Sequence, residues 1–292
     1  MFKLGPATVS KIVDLDPFVL AFDFLLPGRD PAELAGESAV LAPDHVNFGT
    51  GSILLSLHSF VLNISGLTVL IDTCVGEHKP RSRRQDWDQR HNTGYLTRLA
   101  AAGLAPEDID IVMCTHLHAD HVGWNTKLEN DRWTPTFPNA RYVMGRAELD
   151  HWSDLESREP GKHNHGCYAD SVLPIVEAGL VEAVDDGFEL TSGLEIIPLH
   201  GHSPGQIGLD LNCGDGSHAL FCGDAFHSPV QIFRPHWSSA FCHDAVQAGE
   251  LRRRLAERCA GDGAILLPAH LRGGHGMRVE GNDVSGFRPV FV

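Results

Sequence analysis

The sequence predicts an α/β fold in one domain that spans residues 1–292. Short apolar runs of β character alternate with segments of helical periodicity. Residues of metal-ligand type follow several of these runs, where the loops of α/β folds carry functional side chains on a rigid scaffold. No stretch rich in Pro, Ser or Gly is long enough to divide the chain, so a single domain is expected.

The first half of the chain combines a hairpin, a helix and two further strands. The link Asn63–Gly66 has hairpin composition and joins two β runs. A helix is expected from about Thr93, since Tyr95 and Leu99 share one face and Gly103 stands where a C-terminal cap belongs. The predicted strands of this half are 52–62, 67–72, 108–114 and 141–144.

The second half opens with a stretch rich in His, Glu and Gly, at 146–190, which contains one clear helical segment, 169–178. Its length predicts an active-site lid. The β pattern then returns, and Leu251, Leu255 and Cys259 repeat at four-residue spacing on a helix. The predicted elements of this part are strands at 194–199, 206–211, 218–222 and 264–267, with the helix at 244–259.

Charge and composition exclude several classes of partner. The net charge of −15 argues against nucleic acid and against an anionic membrane surface. No run approaches the ~18 apolar residues that span a bilayer, and no secretory signal opens the chain. The seven cysteines form no Cys-x-x-Cys pair, which indicates a reducing compartment. We therefore expect a cytoplasmic protein with a small-molecule substrate, its oligomeric state left open, a homodimer included.

Two groups of residues have the composition of a metal site. Imidazole and carboxylate together are typical ligands of Zn, Fe, Ni or Mn. Each residue alone is more often a turn, cap or surface residue, but four such residues within six positions after an apolar strand rarely arise by chance. The seven candidates are His116, His118, Asp120, His121, His202, Asp224 and His270. Seven ligands exceed the needs of one tetrahedral ion, so the sequence predicts two metals.

The spacing divides these ligands between two ions. His116 and His118 project to the same side of an extended chain and can bind one ion, which His202 would complete. Asp120 and His121 follow the turn, and His270 would join them on a second ion. Asp224 can bridge the two ions, since its carboxylate has two oxygens and suits ions ~3.5–4 Å apart.

The pattern from His116 to His121, with the downstream trio, resembles the ligand signature of the metallo-β-lactamase superfamily over about residues 50–292. The resemblance implies a four-layer αββα sandwich with a dinuclear site at one edge. It also matches Asp72 to the superfamily's early aspartate, which orients the loop that carries the ligands. The alternative for Asp72 is an Asx-turn.

Within that superfamily, ligand pattern and size resemble the N-acyl-homoserine lactonases. The tyrosine of those enzymes, three residues after the bridging aspartate, corresponds here to His227. The segments 223–231 and 269–290 look more like the methyl parathion hydrolase group. His227 is a candidate hydrogen-bond donor to a developing oxyanion, and a surface-loop histidine is its alternative.

These observations predict a hydrolase that uses two divalent ions, zinc first and Fe, Mn, Co or Ni as alternatives. A hydroxide between the ions would cleave a lactone or ester, with Asp120 moving the proton. The alternatives are a phosphotriesterase of the methyl parathion hydrolase type and, in another class, a non-haem iron protein that uses oxygen. An apolar wall of the pocket is expected from Trp124, Trp152, Phe226 and Phe233, although ordinary core packing is the alternative for each.

Overall fold

A computed structural model describes residues 1–292, and the chain divides into two compact units. Unit 1 comprises Met1–Leu15 and Leu57–Phe188, and unit 2 comprises Asp16–Ser56 and Glu189–Val292. The α/β class predicted from the sequence is confirmed, because sheets and helices both contribute to the structure. The expectation of one domain with a lid at 146–190 stays a prediction.

The first ten strands form one large sheet and a separate hairpin. They are β1 (Phe2–Leu4), β2 (Ala7–Ala21), β3 (Val46–Asn47), β4 (Ser52–Ile64), β5 (Leu67–Ile71), β6 (Ile111–Cys114), β7 (Thr126–Glu129), β8 (Arg132–Pro135), β9 (Arg141–Gly145) and β10 (Val181–Val184). The sheet has the order β1-β2-β4-β5-β6-β9-β10, with β3 on β4, while β7 pairs with β8 alone. The pairs from β5 to β10 are parallel. Residues 69–71 of β5 and all of β6 are buried, as in other parallel sheets.

The helices are short except for two. They are α1 (Phe22–Leu25), α2 (Ser38–Leu41), α3 (Tyr95–Ala101), α4 (Arg146–Arg158), α5 (Leu173–Glu177), α6 (Val230–Phe233) and α7 (Ala245–Asp262). Asp244 caps α7, since its carboxylate accepts hydrogen bonds from the backbone of Val246 and Gln247. Gly263 ends α7 in the left-handed region at φ 75°. No helix combines the length and the hydropathy that crossing a bilayer requires.

Unit 2 contains the second sheet. Its strands are β11 (Glu189–Thr191), β12 (Leu194–Pro198), β13 (Ile207–Asn212), β14 (His218–Gly223), β15 (Ile265–Pro268), β16 (Met277–Asn282) and β17 (Gly286–Phe291). They pair in chain order, and only β14 and β15 are parallel. The predicted face of α7 packs on this sheet, as Leu251, Leu255 and Cys259 join one buried cluster with Leu220 and Leu266.

Each candidate ligand follows the end of a strand, as the sequence predicts. β6 ends two residues before His116, and β12 ends four residues before His202. Asp224 follows β14 directly, and His270 comes two residues after β15. The strands therefore fix where the ligand loops begin.

Several elements were not predicted from the sequence, among them the longest strand, and one predicted helix differs from the prediction. The strand β2 and the helix α4 were not predicted; α4 is mostly polar and buries only Glu148, so its pattern gives no apolar face. The helix predicted at 169–178 is a π-helical turn, Tyr168–Val172, followed by α5. Pro174 in the first turn of α5 has no N–H to donate, and regular α-helical bonding is interrupted there.

Candidate metal centre

The loop after β6 brings four ligand-type side chains together within unit 1. His116 Nε2 lies 3.0 Å from His118 Nδ1, and His121 Nε2 lies 3.8 Å from Asp120 Oδ2. The ring centroids of His116 and His121 are 4.0 Å apart. His116 and His121 are buried, whereas His118 and Asp120 are partly exposed. The two short donor distances fall within the two pairs that the spacing predicts.

Asp72 holds this loop from the end of β5. Its Oδ2 accepts a hydrogen bond from His121 Nδ1 at 2.9 Å, and its Oδ1 accepts one from the backbone N–H of Thr115 at 2.7 Å. These partners lie more than 40 residues away, unlike those of an Asx-turn. Because Nδ1 of His121 is engaged with a carboxylate, Nε2 is the nitrogen left as a candidate ligand, an arrangement typical of metal-binding histidines.

In unit 2, three imidazoles surround the carboxylate of Asp224. The Nε2 atoms of His202 and His227 lie 3.4 and 3.2 Å from Asp224 Oδ2. His270 Nε2 lies 3.0 Å from Oδ1 of the same carboxylate. All four residues are buried, and the donor atoms of His202, Asp224 and His227 lie within 4.8 Å of one another. Nitrogen and oxygen donors at this density can bind a transition-metal ion.

Two histidines of this cluster, His270 and His202, have contacts on their other ring nitrogens. His270 Nδ1 donates a hydrogen bond to the backbone carbonyl of Ser56 at 3.3 Å, so its Nε2 is directed at Asp224. His202 Nδ1 lies 3.8 Å from Cys242 Sγ. The Cys242 contact was not anticipated, because no motif surrounds that cysteine in the sequence.

His227 belongs to the same cluster, so the alternative of a surface-loop histidine is wrong. It is 2% exposed, and its backbone N–H donates to Gln231 Oε1 at 2.7 Å. Its Nε2 also lies 3.4 Å from Ser239 Oγ. The ring therefore occupies a position suited either to hydrogen bonding or to metal ligation.

The cysteines beside the ligand loops are not candidate ligands. Cys114 and Cys222 are buried and unpaired with another cysteine. Burial, with the carboxylate of Asp72 nearby, raises the pKa of the Cys114 thiol. Burial likewise raises the pKa of Cys222, followed by the effect of Cys259 and then of Asp224. Both thiols are therefore protonated near neutral pH in the metal-free chain. Neither cysteine belongs to the groups of His and Asp residues whose donor atoms come together.

The donor set fits divalent transition metals. Unit 1 supplies three imidazoles and one carboxylate, and unit 2 supplies three imidazoles and one carboxylate. A carboxylate orients His121 and a backbone carbonyl orients His270. Hydrogen-bond partners of this kind commonly orient the histidines that bind zinc. Imidazole nitrogen and carboxylate oxygen are ligands that zinc and several other divalent transition metals bind.

The four aromatic residues expected in a pocket wall have different surroundings. Phe226 is fully buried in the apolar cluster under α7, and Trp124 stacks on Tyr95 with centroids 5.1 Å apart. Trp152 packs edge-on to His118 at 5.5 Å, and Phe233 lines a cavity of about 780 Å³ in unit 2. Phe226 and Trp124 are therefore core residues, and only Trp152 contacts a candidate ligand.

The sequence analysis missed an exposed aromatic pair next to His227. Phe24 and Phe241 are 49% and 42% exposed, and their ring centroids are 5.8 Å apart. The Phe241 ring lies 6.4 Å from that of His227. The two residues are 217 positions apart in the chain, so no local pattern could have paired them.

Replacing Asp72 by Asn tests whether the Asp72 carboxylate orients the His121 ring for metal binding. Asn has the same shape and tolerates the φ of 57° found at Asp72, but it lacks the negative charge that favours the Nδ1–H form of His121. We expect zinc affinity, measured by competition with a chelator, to fall roughly 10- to 100-fold. Asp110→Asn is the control, because Asp110 also accepts a backbone hydrogen bond, from Thr68. Equal affinities of Asp72→Asn and the parent chain would contradict the role.

Comparison with known proteins assigns the chain to a family. The family model of the metallo-beta-lactamase superfamily matches residues 54–270. An N-acyl homoserine lactonase of Bacillus cereus is 25% identical over 133 residues, which cover 46% of this chain and 45% of that relative. The N-acyl homoserine lactonase AiiB of Agrobacterium fabrum is 22% identical over 231 residues, or 73% of this chain and 78% of the relative. The match to the Bacillus relative thus spans less than half of either protein.

Two solved structures share the fold over the whole chain. AidC, a dizinc quorum-quenching lactonase, superposes with a TM-score of 0.81 at 19% identity, covering 100% of this chain and 96% of AidC. The hydrolase AbOPH gives a TM-score of 0.80 at 20% identity, with coverages of 100% and 96%. These matches confirm the predicted metallo-β-lactamase type of α/β fold. From the family match over residues 54–270, the chain belongs to the metallo-beta-lactamase superfamily.

Proposed function

We propose that this protein is a dinuclear-metal-dependent hydrolase that cleaves a lactone or ester of a small molecule. The observation that carries the proposal is the pair of largely buried His and Asp clusters that follow strand ends, one in each unit. The named activity of the relatives, N-acyl homoserine lactonase, supports a lactone as the first substrate class.

The proposed ligand sets follow the spacing of the sequence. His116, His118 and His202 would hold one ion, and Asp120, His121 and His270 the other, with Asp224 between them. Two zinc ions held in this way would supply Lewis acidity and an acidified water. The crowding of Nε2 atoms around the Asp224 carboxylate supports its bridging role.

Asp120 is the residue that we propose moves the proton. Its side chain is 15% exposed, more than those of His121 and Asp72 beside it, so its carboxylate can reach a substrate. A carboxylate in this position can accept a proton from water and return it to the leaving oxygen.

His227 would donate a hydrogen bond to the oxygen of the substrate that gains negative charge. Its burial beside Asp224 lowers the local dielectric constant, which strengthens such a bond. The exposed pair Phe24 and Phe241 would receive an apolar part of the substrate, since Phe241 lies against the His227 ring.

A phosphotriesterase is the second candidate. The observation in its favour is His227, which stands where the lactonases to which the sequence is similar have a tyrosine. An iron protein that uses oxygen remains the alternative from another class, and metal analysis separates it, because about one iron per chain would replace two zinc ions.

A substrate panel tests the proposal on metal-replete protein. Lactones with short and long acyl chains, aryl esters and phosphotriesters would be ranked by kcat/KM. We expect lactones or esters to be the best substrates, and Phe241→Ala to raise KM for long-chain lactones more than for short ones. Phe291→Ala, an exposed aromatic that stacks on His45, is the control. Turnover of phosphotriesters alone would refute the lactonase and esterase proposal.

Replacing Asp120 by Asn tests the proton role. The amide keeps an oxygen ligand but cannot take up a proton, so kcat should fall by roughly 10²- to 10⁴-fold while much of the metal is retained. Kinetics and metal analysis on the same sample measure both effects. Asp154→Asn, which alters an exposed ion pair with Arg158, is the control. Full activity of Asp120→Asn would remove the proton role.

Replacing His227 by Ala distinguishes a hydrogen-bond donor from a metal ligand. As a donor, its loss should lower kcat roughly 10²- to 10³-fold with the metal content unchanged. A fall in bound metal would instead assign His227 to the ligands and contradict the donor role. His236→Ala, a more exposed histidine of unit 2, is the control.

A further inference from the structure

The backbone of the ligand loop in unit 1 is held by side chains from the segment that follows β9. Asn164 makes two of these contacts: its Oδ1 accepts from the N–H of Ala119 at 3.0 Å, and its Nδ2 donates to the carbonyl of Leu117 at 2.6 Å. Glu148 Oε1 accepts from the N–H of Leu117 at 3.0 Å. The loop therefore has hydrogen-bond partners on three of its peptide groups outside its own turn.

The held peptide groups alternate with the candidate ligands. Leu117 lies between His116 and His118, and Ala119 lies between His118 and Asp120. A rotation of any of these peptide groups would turn the neighbouring side chains, because the Cα atoms of the two residues that a peptide group joins lie in its plane. Glu148 extends this control to His118, since the same Oε1 accepts from Trp152 Nε1 at 2.6 Å and the Trp152 ring packs on the imidazole.

The backbone at Asn164 has an unusual conformation. Asn164 and His165 have φ values of 46° and 55°, and Gly166 follows at 73°. Asn tolerates the left-handed region, but a histidine there is uncommon. Two consecutive residues other than glycine in this conformation raise the conformational energy of the backbone. Such a conformation persists only when surrounding contacts impose it, and it directs the Asn164 amide towards the loop.

A buried ion network fixes the other side of the segment. Arg81 is fully buried and binds both carboxylate oxygens of Asp170, at 2.6 and 2.7 Å. The same guanidinium donates to the carbonyl of His165 at 3.2 Å. Lys79 adds bonds to Thr126 Oγ1 and to the Asp170 carbonyl. Asn164 is therefore attached to a rigid support as well as to the ligand loop.

We infer that Asn164 and Glu148 are positioning residues that set the geometry of the metal ligands in unit 1 by clamping the peptide groups of Leu117 and Ala119. The inference rests on the proposed metal-dependent function, but the clamp itself is a property of the metal-free chain. Under this inference, the part of 146–190 around Asn164 supports the ligand loop and stays in place, whereas the length of the segment predicts a lid.

Cobalt(II) binding tests the clamp, since the visible spectrum of the ion reports ligand geometry. We expect Asn164→Ala and Glu148→Ala each to weaken cobalt binding roughly 10- to 100-fold and to change the spectrum. Glu148→Gln should restore the parental values, because its amide oxygen can still accept from Leu117 and Trp152. Asn282→Ala is the matched control, since Asn282 accepts two backbone hydrogen bonds in the turn between β16 and β17.

A lower melting temperature of Asn164→Ala with unchanged cobalt affinity and spectrum would overturn the inference, because the residue would then serve stability alone. A parent chain that binds no cobalt would instead refute the proposed metal function. In that case hydrogen exchange at the amides of Leu117 and Ala119 still tests whether their peptide groups are held.

Hydrogen exchange at Leu117 and Ala119 in the metal-free parent chain gives the second measurement, which needs no variant to fold. Both amides donate to side chains of the clamp and should exchange slowly, at rates close to those of the β6 amides. Exchange as fast as at the exposed residues Asp215 and Gly216 would show that the segment opens readily, and the clamp would be refuted.

Discussion

The crowding of imidazoles around buried carboxylates is the constraint on which the rest of this structure depends. Asp224 is surrounded by His202, His227 and His270, and Asp72 binds His121 within the other unit. Burying ionisable groups is costly unless opposite charge or hydrogen bonds compensate. A divalent cation among these nitrogens and oxygens supplies that compensation, which gives the clusters a physical reason beyond packing.

The scaffold holds these groups by two means. Strands bring each ligand loop to a defined starting point, as β14 does for Asp224. Contacts outside the donor set then orient the rings, through Asp72 for His121 and the Ser56 carbonyl for His270. Precise orientation matters, because groups that hold a ligand ring in place typically raise the affinity of a site for its metal.

Much of the fold and of the candidate site could be predicted from the sequence, because the signals are local. The apolar runs of β4 and β5, the four-residue repeat of α7 and the cluster 116–121 are all visible within short windows. The position of Asp72 at a strand end was also predicted, and the structure adds its partners Thr115 and His121.

The remaining features could not be predicted because they depend on tertiary contacts. Phe24 and Phe241 meet only in the folded unit 2, and Asn164 reaches Leu117 across 47 residues. α4 has a polar sequence whose one buried residue, Glu148, is charged, so hydrophobic periodicity does not reveal it. These residues surround the ligands without belonging to the ligand motif, and sequence patterns say little about such positions.

X-ray absorption at the zinc edge, on protein loaded with zinc to saturation, tests the central claim most directly. Two zinc ions per chain with a metal–metal scattering distance of roughly 3.5–4 Å and nitrogen and oxygen ligands are the predicted result. One ion per chain, or two ions without a metal–metal contribution, would contradict the proposal of a dinuclear metal centre.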